Sequence, residues 1–192
     1  PVWRGRRVAV IGGGNTAMDS VRTARRLGAE KVMIIYRRSE DEMPARKEEI
    51  HHAKQEGVEF LTLHNPVEYI GDERGRVCQM RLQKMELGEP DASGRRSPVP
   101  IPGAIETIDI DEVIVSVGVS PNPLVPNSIE GLEVTPKGTI VVNADTLQSS
   151  IPDIYAGGDI VRGGATVILA MGDGRRAAAC LLYTSDAADE AR

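Results

Sequence analysis

The sequence predicts an α/β fold in which a parallel sheet is joined by an antiparallel β-meander and followed by a second, smaller unit. Three observations carry that prediction. A continuous apolar run, Val8-Ala9-Val10-Ile11, opens into a glycine turn and a helical pattern, as a buried central parallel strand does. The apolar period then changes to two between residues 67 and 87, as in antiparallel strands with one wet face. Finally, Pro121 and Pro123 interrupt every regular pattern, because proline removes a donor and fixes φ.

The first strand leads into Gly12-Gly13-Gly14-Asn15-Thr16-Ala17-Met18-Asp19. Gly12, Gly14 and Ala17 fall at the G-x-G-x-x-G/A spacing of a Rossmann-like dinucleotide site. In that motif the first glycine permits the tight turn and the second admits a pyrophosphate. The small third residue lets the helix pack closely on its strand. The helix expected over Thr16 to Leu27 carries Ala17, Val21, Ala24 and Leu27 on one face and stops at Gly28. A tight βα turn would explain the glycines alone, but here strand, helix and a second strand, Val32 to Tyr36, all follow in order.

The residues after that second strand choose the nucleotide. NAD sites place an acid about 20 residues past the glycines, to hold the ribose 2′-hydroxyl. This chain has Arg37 and Arg38 there, and paired guanidiniums suit a 2′-phosphate. The competing reading is a solvated cluster in which Glu40 and Asp41 neutralise the arginines. NADP(H) is the expected cofactor.

Further along, Arg37 to Pro44 reads as a polar loop, with Pro44 opening a helix that ends at Gly57. His51 and His52 lie in that helix beside acids and a lysine, and read as a solvated face. Val58 to Leu63 is the third strand. Val67 to Ile70 and Val77 to Leu87 are the alternating pair, joined by the turn from Gly71 to Gly75. Cys78 falls within that pattern as a structural thiol. Gly88 to Gly103, with prolines at 90, 98, 100 and 102, is expected to be a loop. Ile105 to Ile110 and Val113 to Gly118 form another pair, the second strand returning to the parallel core. Beyond Pro123 come Leu132 to Val134, a turn at Pro136-Lys137-Gly138, a strand from Thr139 to Val142, and a short strand ending at Gly157-Gly158-Asp159. A helix then runs from Ala165 to about Ala179.

Composition narrows the function further. A net charge of −5 and a pI near 5.3 argue against a nucleic-acid partner. No apolar run approaches the roughly 20 residues of a membrane span, and no secretory pattern opens the sequence, so a cytoplasmic location is expected. Cys78 and Cys180 are distant and form no C-x-x-C. They supply no disulfide framework, redox dithiol, or iron–sulfur or zinc site. Both ends read as cut. Pro1 to Gly5 has no initiator Met, and the run from Cys180 to Glu190 resembles a translated transposon-derived sequencing adapter. Residues 180–192 are therefore expected to be a non-native tail.

In Ile154-Tyr155-Ala156-Gly157-Gly158-Asp159, the glycines allow close approach of a ligand and the acid accepts from a sugar hydroxyl. The helix starting near Ala165-Thr166-Val167 points its N–H groups and dipole at negative charge. A plain Gly-Asp turn is the alternative. Together with the first glycine motif and Val117-Gly118-Val119-Ser120-Pro121-Asn122, this segment resembles the two-dinucleotide flavoproteins. Within them it most resembles the glutamate synthase small (β) subunit family. Tyr36-Arg37-Arg38, Glu42-Met43-Pro44-Ala45-Arg46, the stretch from Met85 to Arg96 and that from Ala165 to Gly172 carry the likeness, which covers residues 1 to about 179.

The resemblance implies an NADPH-binding domain over residues 1–119 and the C-terminal part of an FAD-binding domain over 120–179. It implies NADPH and FAD as cofactors. Iron–sulfur clusters are expected only in a missing N-terminal region or a partner, and the partner is a glutamate synthase large subunit or a ferredoxin-type protein. Gly12, Gly14, Asn15 and Thr16, over Ala17, are expected at the pyrophosphate. Arg37 and Arg38, joined by Arg46, are expected at the 2′-phosphate, and Gly118 is counted with the cofactor-binding residues. Gly158, Asp159, Ala165, Thr166 and Val167 are expected to face FAD. The implied reaction is hydride transfer from NADPH to FAD, which needs alignment more than an acid or base, so no catalytic side chain is assigned. The missing first FAD half implies a fragment that is inactive alone. An NADPH–ferredoxin oxidoreductase subunit and a non-catalytic NADPH-binding module remain as alternatives; a thioredoxin reductase is disfavoured by the missing dithiol.

Overall fold

The computed structural model describes residues 5–90, 94 and 96–189, the last six of them in backbone only. Pro1 to Arg4, the family-stretch residues Asp91, Ala92, Ser93 and Arg95, and the tail residues 190–192 lie outside the described residues. The chain divides into two compact units, one ending at Gly118 and the other beginning at Val119.

The first unit contains, in order, β1 (Arg7–Ile11), α1 (Asn15–Arg26), β2 (Lys31–Tyr36), α2 (Lys47–Gln55), β3 (Glu59–Thr62), β4 (His64–Gly71), β5 (Val77–Pro90), β6 (Arg96–Asp109) and β7 (Glu112–Val115). Strands β3-β2-β1-β7 form a parallel sheet in that spatial order, and β4-β5-β6 form an antiparallel one. The parallel sheet is covered on both faces, which is why Val8 to Ile11 is apolar at every position. Ala17, Met18 and Val21 of α1, with Ile50 and Ala53 of α2, cover one face against Val8, Val10, Val32 and Ile34. Met80, Leu82 and Ile110 cover the other against Ala9, Ile11, Met33 and Ile35.

Several boundaries differ from expectation for local reasons. The buried face of α1 takes Met18 and leaves Leu27 41% exposed. Helix α2 starts at Lys47, three residues after Pro44, because the chain before it is held extended: Ala45 donates its N–H to the Gly13 carbonyl at 3.0 Å. Within the expected polar loop, Glu40 to Glu42 form a 3₁₀ turn closed by Ser39 and Glu42. Most of the loop expected over Gly88 to Gly103 is strand, as β5 and β6 extend into it. The prolines fit because β6 is an edge strand and Pro98, Pro100 and Pro102 are two apart. The missing N–H groups of Pro98 and Pro100 therefore fall on one side of the strand, the pairs Leu87↔Pro98 and Met85↔Pro100 survive, and Pro102 falls in a bulge before Ile105.

The second unit contains α3 (Leu124–Ser128), α4 (Asp159–Arg162) and α5 (Val167–Asp189). Its expected strands shrink to three antiparallel bridges, Val134↔Ile140, Val142↔Ser149 and Gln148↔Tyr155, around a small core of Leu132, Ile140 and Leu147. Asp159 opens α4, and α5 begins at Val167 and continues past residue 180.

The contact between the sheets gives a direct stability test. Leu82 has no exposed surface, so Leu82→Ala should cost about 2–5 kcal/mol in urea denaturation. Val67→Ala, at a 52% exposed position of the same meander, should stay within about 0.5 kcal/mol.

Candidate functional site

The site begins where β1 ends. Gly12 has φ +139° and lies against the Ser116 backbone, so that a Cβ there would overlap the Ser116 carbonyl. Two hydrogen bonds hold the turn, Gly12 N–H to the Ile35 carbonyl (3.0 Å) and Ser116 N–H to the Ile11 carbonyl (2.7 Å). A Cβ on Gly13 would come within 2.8 Å of the Tyr36 ring. Gly14 is different. As the N-cap of α1 it has φ −92° and ψ 177°, open to any residue, and a Cβ would meet only Pro44 Cγ at 4.0 Å. Neither backbone nor packing demands glycine there. The N–H groups of Gly13, Gly14, Asn15 and Thr16 find no protein acceptor among the described residues, as the start of a helix leaves them.

Gly13, Gly14 and Thr16 line a cleft of about 500 Å³ that gathers Gly12, Gly14, Thr16, Arg37, Arg38 and Gly118 from the expected set. Ala17 is fully buried, where its methyl lies 3.5 Å from the position of a Cβ on Gly12. Asn15 and Arg46 are not in the lining. The Asn15 side chain accepts from the Arg46 N–H at 2.9 Å and so ties the starts of α1 and α2 together. Arg46 itself is exposed.

Arg37 is exposed and Arg38 only 9% exposed. The neutralising cluster with Glu40 and Asp41 does not form. Glu40 pairs with Lys54 at 2.6 Å, and no carboxylate pairs with either arginine among the described residues. Arg38 donates Nε–H to the Arg96 carbonyl at 3.0 Å, while its own carbonyl accepts from Leu63 N–H. A buried guanidinium without a counter-anion is costly, and this one borders the cleft.

Sequence reasoning missed His64, Asn65, Pro66 and Ser116, which also line the cleft. Leu63 adopts φ +57° and redirects the chain from β3 into β4, which brings His64 to the rim. His64 Nδ1–H donates to the Thr62 carbonyl at 2.6 Å. Its buried Nε2 lies 3.2 Å from Glu106 Oε1 without hydrogen-bond alignment. The rule that α/β sheets bind ligands beyond their carboxyl strand ends was the available signal.

In the second unit a different residue governs. Asp173 is 3% exposed. Its carboxylate accepts from Gly158 N–H (3.0 Å) and Arg162 Nη2 (2.7 Å), and these hydrogen bonds hold it well below the usual carboxylate range, the arginine most strongly. A Cβ on Gly157 would come 2.7 Å from Asp173 Cβ, and one on Gly158, at φ +76°, 3.2 Å from Ala170 Cβ. Close packing of the Gly157-Gly158 turn on α5 therefore explains both glycines. Asp159 Oδ1 accepts from Ala165 N–H (3.2 Å), and Thr166 caps α5 through Leu169 N–H (3.4 Å). Ala165, Thr166 and Val167 are exposed. An apolar groove of about 460 Å³ passes Ala156 and Gly157 but takes in none of those three, nor Asp159.

A parallel α/β sheet with a glycine turn and a cleft at its carboxyl edge defines a Rossmann-like nucleotide-binding protein. The chain belongs to the pyridine nucleotide-disulphide oxidoreductase family, whose model matches residues 1–174. It is 45% identical over 179 residues to the NADP(+)-dependent formate dehydrogenase subunit beta of Moorella thermoacetica, covering 93% of this chain and 25% of that one. It is 40% identical over 177 residues to the glutamate synthase [NADPH] small chain of Escherichia coli, covering 91% and 38%. With the NADPH-Fe(3+) oxidoreductase subunit beta of Geobacter sulfurreducens it shares 37% over 199 residues, covering 93% and 30%. The chain thus spans less than half the length of these curated relatives. Thioredoxin reductase from T. acidophilum has the same fold, with a TM-score of 0.73 and 24% identity over 93% of this chain and 52% of that one. Among the described residues no helix is long and apolar enough to cross a membrane.

Asp173 makes the second unit acid-sensitive. Its pKa is lowered by folding, so its contribution is complete above about pH 5 and is lost as pH falls through about 4 toward the folded value. The melting temperature should fall across that window, and Asp173→Asn should have a lower Tm at pH 7 with a shallower acid decline, read by calorimetry.

Proposed function

We propose that the first unit binds NADPH and presents it for hydride transfer to a flavin, in an oxidoreductase of the glutamate synthase small-chain type. The observation that carries this reading is the buried Arg38 guanidinium, which borders the cleft with no carboxylate partner among the described residues, as a site for a phosphate requires. The open position beside Gly14 fits the same ligand. There the free N–H groups at the start of α1 would hold the pyrophosphate, with Arg37 and Arg38 at the 2′-phosphate. The relatives' names, which include NADPH and NADP(+), support that nucleotide.

Bound NADPH would supply a hydride to a flavin. The chain's own residues orient the nucleotide: Gly12 sets the turn, Asn15 fixes the Arg46 backbone, and Leu63 and Arg96 fix Arg38. Residues 1–119 are read as the NADPH domain and 120–179 as the C-terminal part of an FAD domain, with 180–192 an adapter-derived tail. For the flavin the fit is weaker in its glycines, since packing on α5 explains Gly157 and Gly158. It is better at the exposed start of α5, where Ala165, Thr166 and Val167 remain uncovered, and Asp159 keeps one carboxylate oxygen outside the turn bond. Onward transfer would go to iron–sulfur centres of a partner, in a cytoplasmic complex, since several relatives are named as subunits. An NADPH–ferredoxin oxidoreductase subunit is the second reading, favoured by the likeness to the NADPH-Fe(3+) oxidoreductase subunit.

Gly14→Ala tests the cleft without disturbing the fold. It should keep a melting temperature near that of the unaltered chain and weaken NADPH in isothermal titration by about tenfold or more, the scale of one charged hydrogen bond. Unchanged NADPH affinity in a folded Gly14→Ala protein would overturn the assignment.

A further inference from the structure

Arg38 owes its orientation to a segment outside the parallel sheet. The carbonyl that receives its Nε–H belongs to Arg96, 58 positions away, at the start of β6 and the far end of the β5–β6 hairpin. The hairpin is bent on the way. Between the pairs Gln83↔Ile105 and Met85↔Pro100, β5 advances two residues while β6 advances five. The Gln83 amide closes this bulge, donating from Nε2 to the carbonyls of Ile101 (2.6 Å) and Ala104 (3.1 Å). Bulges of this kind re-aim a strand. Beyond the bend, Glu86↔Val99, Leu87↔Pro98 and Pro90↔Arg96 carry the return strand to the Arg38 guanidinium.

The Arg96 backbone thereby lies against the Arg38 guanidinium, while the Arg96 side chain stays outside the lining of the cleft. Arg96 is exposed, and none of Arg37, Arg38 and Arg96 has a carboxylate partner among the described residues. A side chain carried on that backbone is within reach of Arg38, and like charges held near one another favour an anion among them; guanidinium groups match phosphate oxygens in pairs. The geometry points to Arg96 as a further specificity-determining residue, with the β5–β6 hairpin both setting the Arg38 guanidinium and adding a cation from outside the Rossmann-like core. The ligand class is a phosphate monoester dianion, the 2′-phosphate of the dinucleotide. This inference rests on the dinucleotide reading of the cleft.

Titration of the full chain with NADPH and with NADH separates the two ideas. Arg96→Gln should weaken NADPH about tenfold, leave NADH unchanged, and flatten the salt dependence of NADPH binding, while Arg96→Lys recovers part of the loss. Gln83→Ala keeps all three arginines but frees the bend, and should weaken NADPH alone. If Arg96→Gln binds both nucleotides as the unaltered chain does, or loses both equally, the hairpin assignment falls. If Arg38→Gln still loses NADPH selectively in that case, the cleft reading stands. A chain that binds neither nucleotide overturns both.

Discussion

The approach of Gly12 to the Ser116 carbonyl is the constraint on which the first unit depends. β1 and β7 end side by side, and the chain leaving β1 must turn within the space that β7 leaves it. Only a residue without a Cβ fits against that carbonyl. Because the turn is so tight, α1 starts at the carboxyl edge of the sheet and its free N–H groups open onto the cleft. Ala17, fully buried, then lets the helix settle on the strand. A wider turn would displace the helix start from the arginines at the end of β2, and the two would no longer share one cleft.

The parallel core was readable because its signals are local. An unbroken apolar run means a strand covered on both faces, and the glycine spacing means a turn with no room for side chains. The β5–β6 hairpin was harder to read, since proline is a strand breaker in the interior of a sheet and harmless along an edge. Edge position is a property of the folded sheet, invisible to a window of residues. The same holds for Asp173. On its own it is one acid in a helix, and only the packed turn reveals that it binds Gly158 and Arg162. Likewise the Gly157-Gly158 pair suggested ligand approach, whereas α5 occupies the space that the glycines leave.

The two arginines after β2 show how burial divides a charged pair. In sequence Arg37 and Arg38 are equivalent. In the fold one remains in solvent while the other is enclosed, oriented through its Nε by a distant carbonyl and through its backbone by Leu63. The enclosed guanidinium carries the cost of desolvation, which the exposed one is spared. A sheet strand and a hairpin thus meet at one guanidinium, although 58 residues separate them.

The spacing of Pro98 and Pro100 has a consequence for behaviour in a crowded solution. Free sheet edges invite strands from other molecules, and missing donors along such an edge deny them a ladder. β6 carries that protection on its outer side, and β4, at the opposite edge of the meander, carries Pro66. The meander is therefore guarded against edge-to-edge aggregation by the residues that made it look like a loop.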